Sequence, residues 1–154
     1  MKILVFSDSH GKTNLMHQII DKTKCDMIIH LGDCYDDFLE LKDCYDIPMA
    51  GVVGNVDFIS DGPAHEVISV GDYKIFITHG HRYRVKHHLL HLDEKTREVK
   101  ADITLFGHTH IPMIEEGHHI LMNPGSISRP RDARPSYGLI HINSKGIDTE
   151  IIYV

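Results

Sequence analysis

Five short stretches of the chain bring together residue types that bind cations: Ser7-Asp8-Ser9-His10, His30-Leu31-Gly32-Asp33, Gly54-Asn55-Val56-Asp57, Thr78-His79-Gly80-His81 and Gly107-His108-Thr109-His110. Carboxylate, amide oxygen and imidazole are ligands for borderline divalent metals such as Mn, Fe, Co, Ni and Zn. Asp8, His10, Asp33, Asn55, His79, His108 and His110 together are too many donors for one tetrahedral zinc. They suit two ions that share a bridging carboxylate, with water in the remaining positions. Such ions sit ~3.5–4 Å apart and clamp an in-line displacement at phosphorus. Each residue alone has a plainer use. Asp8 fits a helix N-cap, Asp33 an ordinary turn after Gly32, and Asn55 a left-handed turn conformation. A lone histidine, one of 14 here, is more often a surface or core residue. The metal reading rests on recurrence of the pattern in five places.

The first cluster runs into Gly11-Lys12-Thr13, the closing letters of a phosphate-binding P-loop. That motif needs a glycine five residues before its last one, and the position is Phe6. The three residues are better read as the start of a helix. GxGxxG is absent, so a dinucleotide site has no fingerprint. Cys25, Cys34 and Cys44 are odd in number and lack CxxC spacing, which argues against a disulfide framework or a zinc knuckle.

The elements that position the clusters follow from hydrophobic patterning. Residues 2–7 read as a buried strand, bounded by polar residues. Leu15, Met16, Ile19 and Ile20 give residues 12–24 the stripe of an amphipathic helix. Residues 27–31 and 48–53 read as strands with a helix over 36–42 between them. This β-α-β-α-β order implies a parallel sheet. Strands over 66–70 and 73–78 are joined by Gly71-Asp72, a hairpin signal. Residues 85–99, with Val85, Leu89, Leu92 and Val99 on one side, read as a helix. Residues 103–106, 111–115, 119–122, 137–142 and 147–154 read as short strands. The expected architecture is α/β: two packed sheets with helices on the outer faces, one domain over residues 1–154. Each cluster falls at a strand end. In open α/β sheets, ligand sites lie beyond the carboxyl ends of the strands, so the clusters converge on one crevice.

Composition narrows the function. The chain of 154 residues has a formal charge of −6 and a pI near 6.1. That balance argues against a stable nucleic-acid partner, which needs a basic face. No run approaches the ~18 apolar residues of a membrane span. The apolar run 3–6 is too short for a signal peptide, so no membrane and a cytoplasmic location are expected.

DSH at 8–10, GD at 32–33, GNVD at 54–57, HGH at 79–81 and GHTH at 107–110 resemble the calcineurin-like metallophosphoesterases. Their order and spacing, with NPGS at 123–126, look like the small, cap-less phosphodiesterases of bacteria and archaea. The resemblance runs from residue 1 to about 128. It implies a four-layer α/β/β/α sandwich of two mixed sheets, the calcineurin-like phosphoesterase fold. It also implies two divalent ions, manganese first, with nickel, iron, zinc and cobalt as alternatives. Asp8, His10 and His110 would hold one ion, Asn55, His79 and His108 the other, and Asp33 would bridge them. A hydroxide between the ions would attack phosphorus in line. Asn55 would help to neutralise the phosphoryl oxygens, and His81 would touch substrate.

One position departs from the family. Many members read GNH[DE], and that histidine protonates the leaving group or steadies the phosphate. Here it is Val56. General acid catalysis is typically worth ~10²–10⁴-fold, so small phosphodiesters with good leaving groups are the expected substrates and alkyl monoesters poor ones. The other histidines, Cys34, Arg82 and Arg84 have plain surface or core readings. Ser126 is expected to shape a turn under the site. The rival reading is a scaffold on the same fold, like the small subunit of retromer; the seven intact ligand types favour an enzyme. A homo-oligomer is left open.

Overall fold

The computed structural model describes residues 1–131 and 134–154. In chain order its elements are β1 (Lys2–Phe6), α1 (Asn14–Lys22), β2 (Met27–His30), α2 (Tyr35–Cys44), β3 (Met49–Gly51), β4 (His65–Val70), β5 (Tyr73–Thr78), α3 (Leu90–Val99), β6 (Ile103–Leu105), β7 (Met113–Glu116), β8 (Ile120–Asn123), β9 (Ser136–Asn143) and β10 (Gly146–Tyr153). One mixed sheet has the order β10-β9-β1-β2-β3 and the other β4-β5-β6-β8-β7.

Strand β1 shows why the layers form. Its side chains alternate between the two faces of the sheet, and both sets are apolar. Ile3 and Val5 join Ile29, Leu31, Ile75, Ile77, Ile103 and Leu105 between the sheets. Leu4 and Phe6 point the other way, onto Met16, Ile19, Ile20 and Leu41 of α1 and α2. On the far side, Phe76 and Leu121 pack with Val85, Leu92, Ala101 and Phe106 under α3. The result is the expected four layers, helix, sheet, sheet, helix. β1 pairs in parallel with β2, and β2 with β3, as the alternating order of strands and helices requires. Helix α1 buries Met16, Ile19 and Ile20, the i, i+3, i+4 spacing of a single face. Each such side chain contributes ~1.5–3 kcal/mol when fully buried. The helix stops where the Thr23 N–H turns back to the carbonyls of Ile19 and Ile20.

Several expectations shift at their edges, among them the strand read over 48–53, which is Met49–Gly51, and two shifts have a plain cause. The helix placed over 85–99 begins only at Leu90. Gly80 at φ 100° and Arg84 at φ 56° bracket a 3-10 turn, His81–Tyr83, and the chain then stays in turns, with the N–H groups of His87 and His88 both donating to the Arg84 carbonyl. Val85 and Leu89 still reach the α3 core, so the apolar spacing reported packing rather than helix. The strand read over 111–115 starts at Met113, after Pro112, which has no N–H to give a ladder. Gly71 and Asp72 do form the β4–β5 turn. Among the described residues, no helix is long and apolar enough to cross a membrane.

Candidate metal centre

The loops after β1, β2 and β3 in one sheet carry Asp8, His10, Asp33 and Asn55; those after β5 and β6 in the other carry His79, His108 and His110. Backbone conformation sets their directions. Asp8 (φ 55°), His10 (φ 48°), Asp33 (φ 57°), His108 (φ 69°) and His110 (φ 61°) are all left-handed. Non-glycine residues held there cost of order 1–3 kcal/mol each and persist only where their surroundings enforce them. The surroundings do so. The Asp8 N–H donates to the Gly32 carbonyl at 3.0 Å and the His10 N–H to the Asp33 carbonyl at 3.1 Å. The Ser126 and Ser128 hydroxyls donate to the Asp8 carbonyl at 2.8 and 3.1 Å. Asn55, expected to be left-handed if it were only a turn residue, is not among these positions. Asp8 is no N-cap either; that place belongs to Thr13.

The donor atoms fall into two groups with one member in common. Asp8, His10, Asp33 and His110 each offer an atom within 4.8 Å of the others, and so do Asp33, His79 and His108. Asn55 joins the second group through its Oδ1, 3.2 Å from His79 Nε2. Asp33 Oδ1 lies 3.2 Å from the same nitrogen. His79 Nδ1–H donates to the Leu31 carbonyl at 2.7 Å, and His110 Nδ1–H to the Arg129 carbonyl at 2.6 Å. Each neutral ring therefore keeps a bare lone pair on Nε2. The His79 lone pair faces two oxygens, and the Nε2 atoms of His10 and His110 face each other at 3.4 Å. Asp8 Oδ2 is satisfied by Ser7 Oγ at 2.6 Å and the His108 N–H at 3.1 Å. Its Oδ1 is buried without a hydrogen-bond partner, 3.1 Å from His110 Nε2. Lone pairs aimed at lone pairs, beside an orphaned carboxylate oxygen, repel unless a cation lies among them. The residues fit a metal pair.

The field in the crevice leads to the same conclusion. Burial works to raise Asp33, but His79 and His10 beside it bring its carboxyl down to about 2. Asp8 is likewise held below the usual carboxylate range, because His110 and His79 outweigh its burial. In return, the Asp8 carboxylate raises His110, and Asp33 with Asp8 raises His79 against its burial. These two rings attract a proton where a metal would compete for the site. His108 lacks such help: burial and the charge on His79 lower it to about 4, leaving a neutral imidazole.

Several supporting residues escaped the sequence reading. His30, the last residue of β2, is fully buried. Its Nε2 meets Ser9 Oγ at 2.9 Å, and its Nδ1 accepts the Gly32 N–H at 3.2 Å, which ties two donor loops together. Asp57 accepts the N–H groups of Gly54, Cys34 and Tyr35 at 2.6, 3.0 and 2.9 Å, fixing the Asn55 loop to the start of α2. The signal for both was present, an acid or imidazole inside a cluster, but nothing in a single sequence separates a support from a ligand. Cys34 sits at the rim, its thiol raised to about 11 by burial and by its hydrogen bond to Asp37, a poor metal ligand. His81 turns toward the crevice, its ring 5.4 Å from His79 and 6.0 Å from His108, with a buried Nδ1 that has no partner. His87, His88 and His91 are exposed. Ser126 does shape the turn beneath Asp8, accepting the N–H groups of Ser128 and Arg129.

Burial lowers His30 to about 4 from 6.5. Between those values the unfolded chain binds a proton that the folded state refuses. This part of the stability is complete above pH 6.5 and is lost as pH falls through 4; the gap corresponds to ~3 kcal/mol. Urea unfolding of the chelated protein is expected to trace that loss, and His30→Gln to remove it from the slope.

The calcineurin-like phosphoesterase superfamily domain matches residues 1–145. The chain is 36% identical over 148 residues to the probable metallophosphoesterase YsnB of Bacillus subtilis (strain 168), spanning 94% of this chain and 86% of that one. Over 69 residues, 44% of this chain and 34% of the other, it is 36% identical to the phosphodiesterase YfcE of Escherichia coli (strain K12). A crystal structure of a conserved uncharacterized protein from Streptococcus pneumoniae TIGR4, a predicted phosphoesterase, superposes with a TM-score of 0.83 at 30% identity, covering 99% of this chain and 88% of that one. With the match running from the first strand to the turn of the last hairpin, the chain belongs to the calcineurin-like phosphoesterase superfamily and is a metal-dependent phosphoester hydrolase.

Proposed function

We propose that the chain hydrolyses small phosphodiesters at two divalent cations, one held by Asp8, His10 and His110, the other by Asn55, His79 and His108, with Asp33 shared. The observation that carries this reading is the double membership of Asp33 in two donor groups, each within 4.8 Å. When bound, such a pair supplies a deprotonated water near neutral pH and offsets charge on the phosphoryl oxygens. The protein's part is to aim and to hold. Carbonyls behind His79 and His110 keep their Nε2 lone pairs forward. Ser7 and the His108 N–H fix one oxygen of Asp8 and leave the other free. The Asn55 amide, with its oxygen turned to His79, has an N–H₂ to donate to a phosphoryl oxygen as charge grows there. His81, whose ring lies 5.4 Å from His79 and 6.0 Å from His108, is the second group for the phosphate in this reading. All of this lies within one domain over residues 1–154.

Manganese is the metal we favour, ahead of nickel, iron, zinc and cobalt, all of which accept oxygen and imidazole donors. No stable nucleic-acid partner goes with this reading, supported by the net charge of −6, and a cytoplasmic location away from any membrane is proposed with it. Elemental analysis is expected to find two divalent ions per chain. Hydrolysis of bis(4-nitrophenyl) phosphate is expected to vanish on chelation and return with Mn²⁺. A metal-loaded but inert protein would instead leave a scaffold on this fold.

The diester preference follows from Val56, a side chain with no proton to give, and accords with the kinship to YfcE. Without an acid, the rate must fall steeply as the leaving-group pKa rises. Val56→His is expected to flatten that dependence, gaining ~10²-fold or more on alkyl leaving groups. Equal slopes for both proteins would refute the assignment.

A further inference from the structure

Three large apolar side chains lie in the loop that follows Asn55, and they are not buried. Val56 is 44% exposed, Phe58 89% and Ile59 98%. The base of the loop beneath them is fixed. Asp57 binds three backbone N–H groups, the Val56 N–H points at Asp33 Oδ1 at 3.4 Å, and the Val53 N–H donates to the Pro63 carbonyl at 2.9 Å. What projects from that base is an aromatic ring beside an aliphatic one. Together they form one wall of a cleft of about 420 Å³ whose other lining includes His10, Cys34 and Arg129. His10 belongs to this cleft and to the metal centre alike, so the cleft opens directly from the site. Contiguous exposed apolar surface of this kind marks a place where something apolar binds.

We propose that this cleft is a subsite for an aromatic arm of the phosphoester, packed against Phe58 and Ile59 while the phosphoryl group occupies the metal centre. The proposal rests on the reading of the metal centre given above. Continuity with that centre selects the occupant: a ligand anchored at His10 has only a few ångströms to span before it meets the apolar wall. Arg129, exposed at the rim, supplies a cation suited to an anionic substrate. Chemically, the class is an aryl or nucleoside ester rather than a short alkyl one.

Calorimetric titration of the Mn²⁺-loaded chain with phenylphosphonate and methylphosphonate tests this. The two share a phosphoryl head and differ in the arm. Phenylphosphonate is expected to bind about tenfold or more tighter, and the double variant F58S/I59S to bring the affinity ratio near one. Both side chains are almost wholly exposed, so the fold does not depend on them. Equal binding by the wild type, or a variant that weakens both ligands with the ratio intact, overturns the subsite and leaves the metal centre standing. Failure of both phosphonates to bind overturns the seating of a phosphoryl group at the loaded metal centre and the subsite with it, whereas a chain that takes up no Mn²⁺ overturns the metal-centre reading itself. Sedimentation gives a last arm: a dimer dissolved by F58S/I59S, with the two phosphonates bound equally, would assign the wall to a second copy of the chain and reject the subsite.

Discussion

Asp33→Asn is expected to lower kcat/KM on a phosphodiester by at least ~10³-fold, matching the several kcal/mol that metal ions contribute to charge stabilisation. Bound metal should fall below two ions per chain. The substitution changes one charge and almost no volume. Asparagine tolerates the left-handed backbone that Asp33 adopts at φ 57°, so the loop keeps its shape and the loss reports on ligation rather than folding. The wild-type carboxyl, near 2, is anionic at every working pH, so no buffer choice imitates the variant. Asp33 is also the residue common to the two donor groups, and its loss should weaken both ions, where removal of His108 or His10 touches one. Circular dichroism would verify the fold, and elemental analysis with steady-state kinetics would read the effect. Activity within tenfold of wild type, at full metal content, would show that Asp33 bridges nothing.

The second large effect is expected from Gly54→Ala, the addition of a single methyl group. Gly54 has no left-handed backbone to protect; what it lacks is room. A Cβ there would fall on the Asp33 carboxylate and on the Asp33 backbone nitrogen, while a Cβ on Gly32 would stand 2.6 Å from the Gly54 nitrogen. The loops after β2 and β3 therefore touch backbone to backbone, and neither can retreat. His30 and Asp57 hold both from behind. Overpacking of this kind costs about 3 kcal/mol or more when nothing can shift. A displacement of ~1 Å in a positioned group can cost ~10²-fold in rate. Urea unfolding of the chelated chain and calorimetric Mn²⁺ titration would measure the two losses. Gly117→Ala is the control, since its Cβ meets only the His119 carbonyl, at 3.9 Å, and should change neither quantity.

How much of this was visible in the residues can be judged at particular places. The donors were legible because each closes an apolar strand, and strand ends in α/β sheets gather at one edge. The layers were legible because β1 is apolar at successive positions, which only a sheet covered on both sides explains. The left-handed backbone of Asp8, His10, Asp33, His108 and His110 was not, since aspartate and histidine carry no conformational mark as glycine does. His30 passed for a bland residue because its partners, Ser9 and Gly32, are distant or inconspicuous in sequence. The exposed tip at Phe58 and Ile59 reads as ordinary loop until the fixed base beneath it is seen. The helix over 85–99 was overextended because Val85 and Leu89 keep helical spacing while packing from a non-helical turn.

Four of the donors hang from one sheet and three from the other. The hydrocarbon sandwiched between them, Ile3, Val5, Ile29, Ile77 and Leu105 among others, thus acts as a spacer that sets the gauge of the reactive centre. Sliding one layer past its neighbour by the width of a methyl group would pull the imidazoles of His79, His108 and His110 off the carboxylates without altering any of them. Reactivity in this molecule is governed in part by oily side chains that never meet a phosphate.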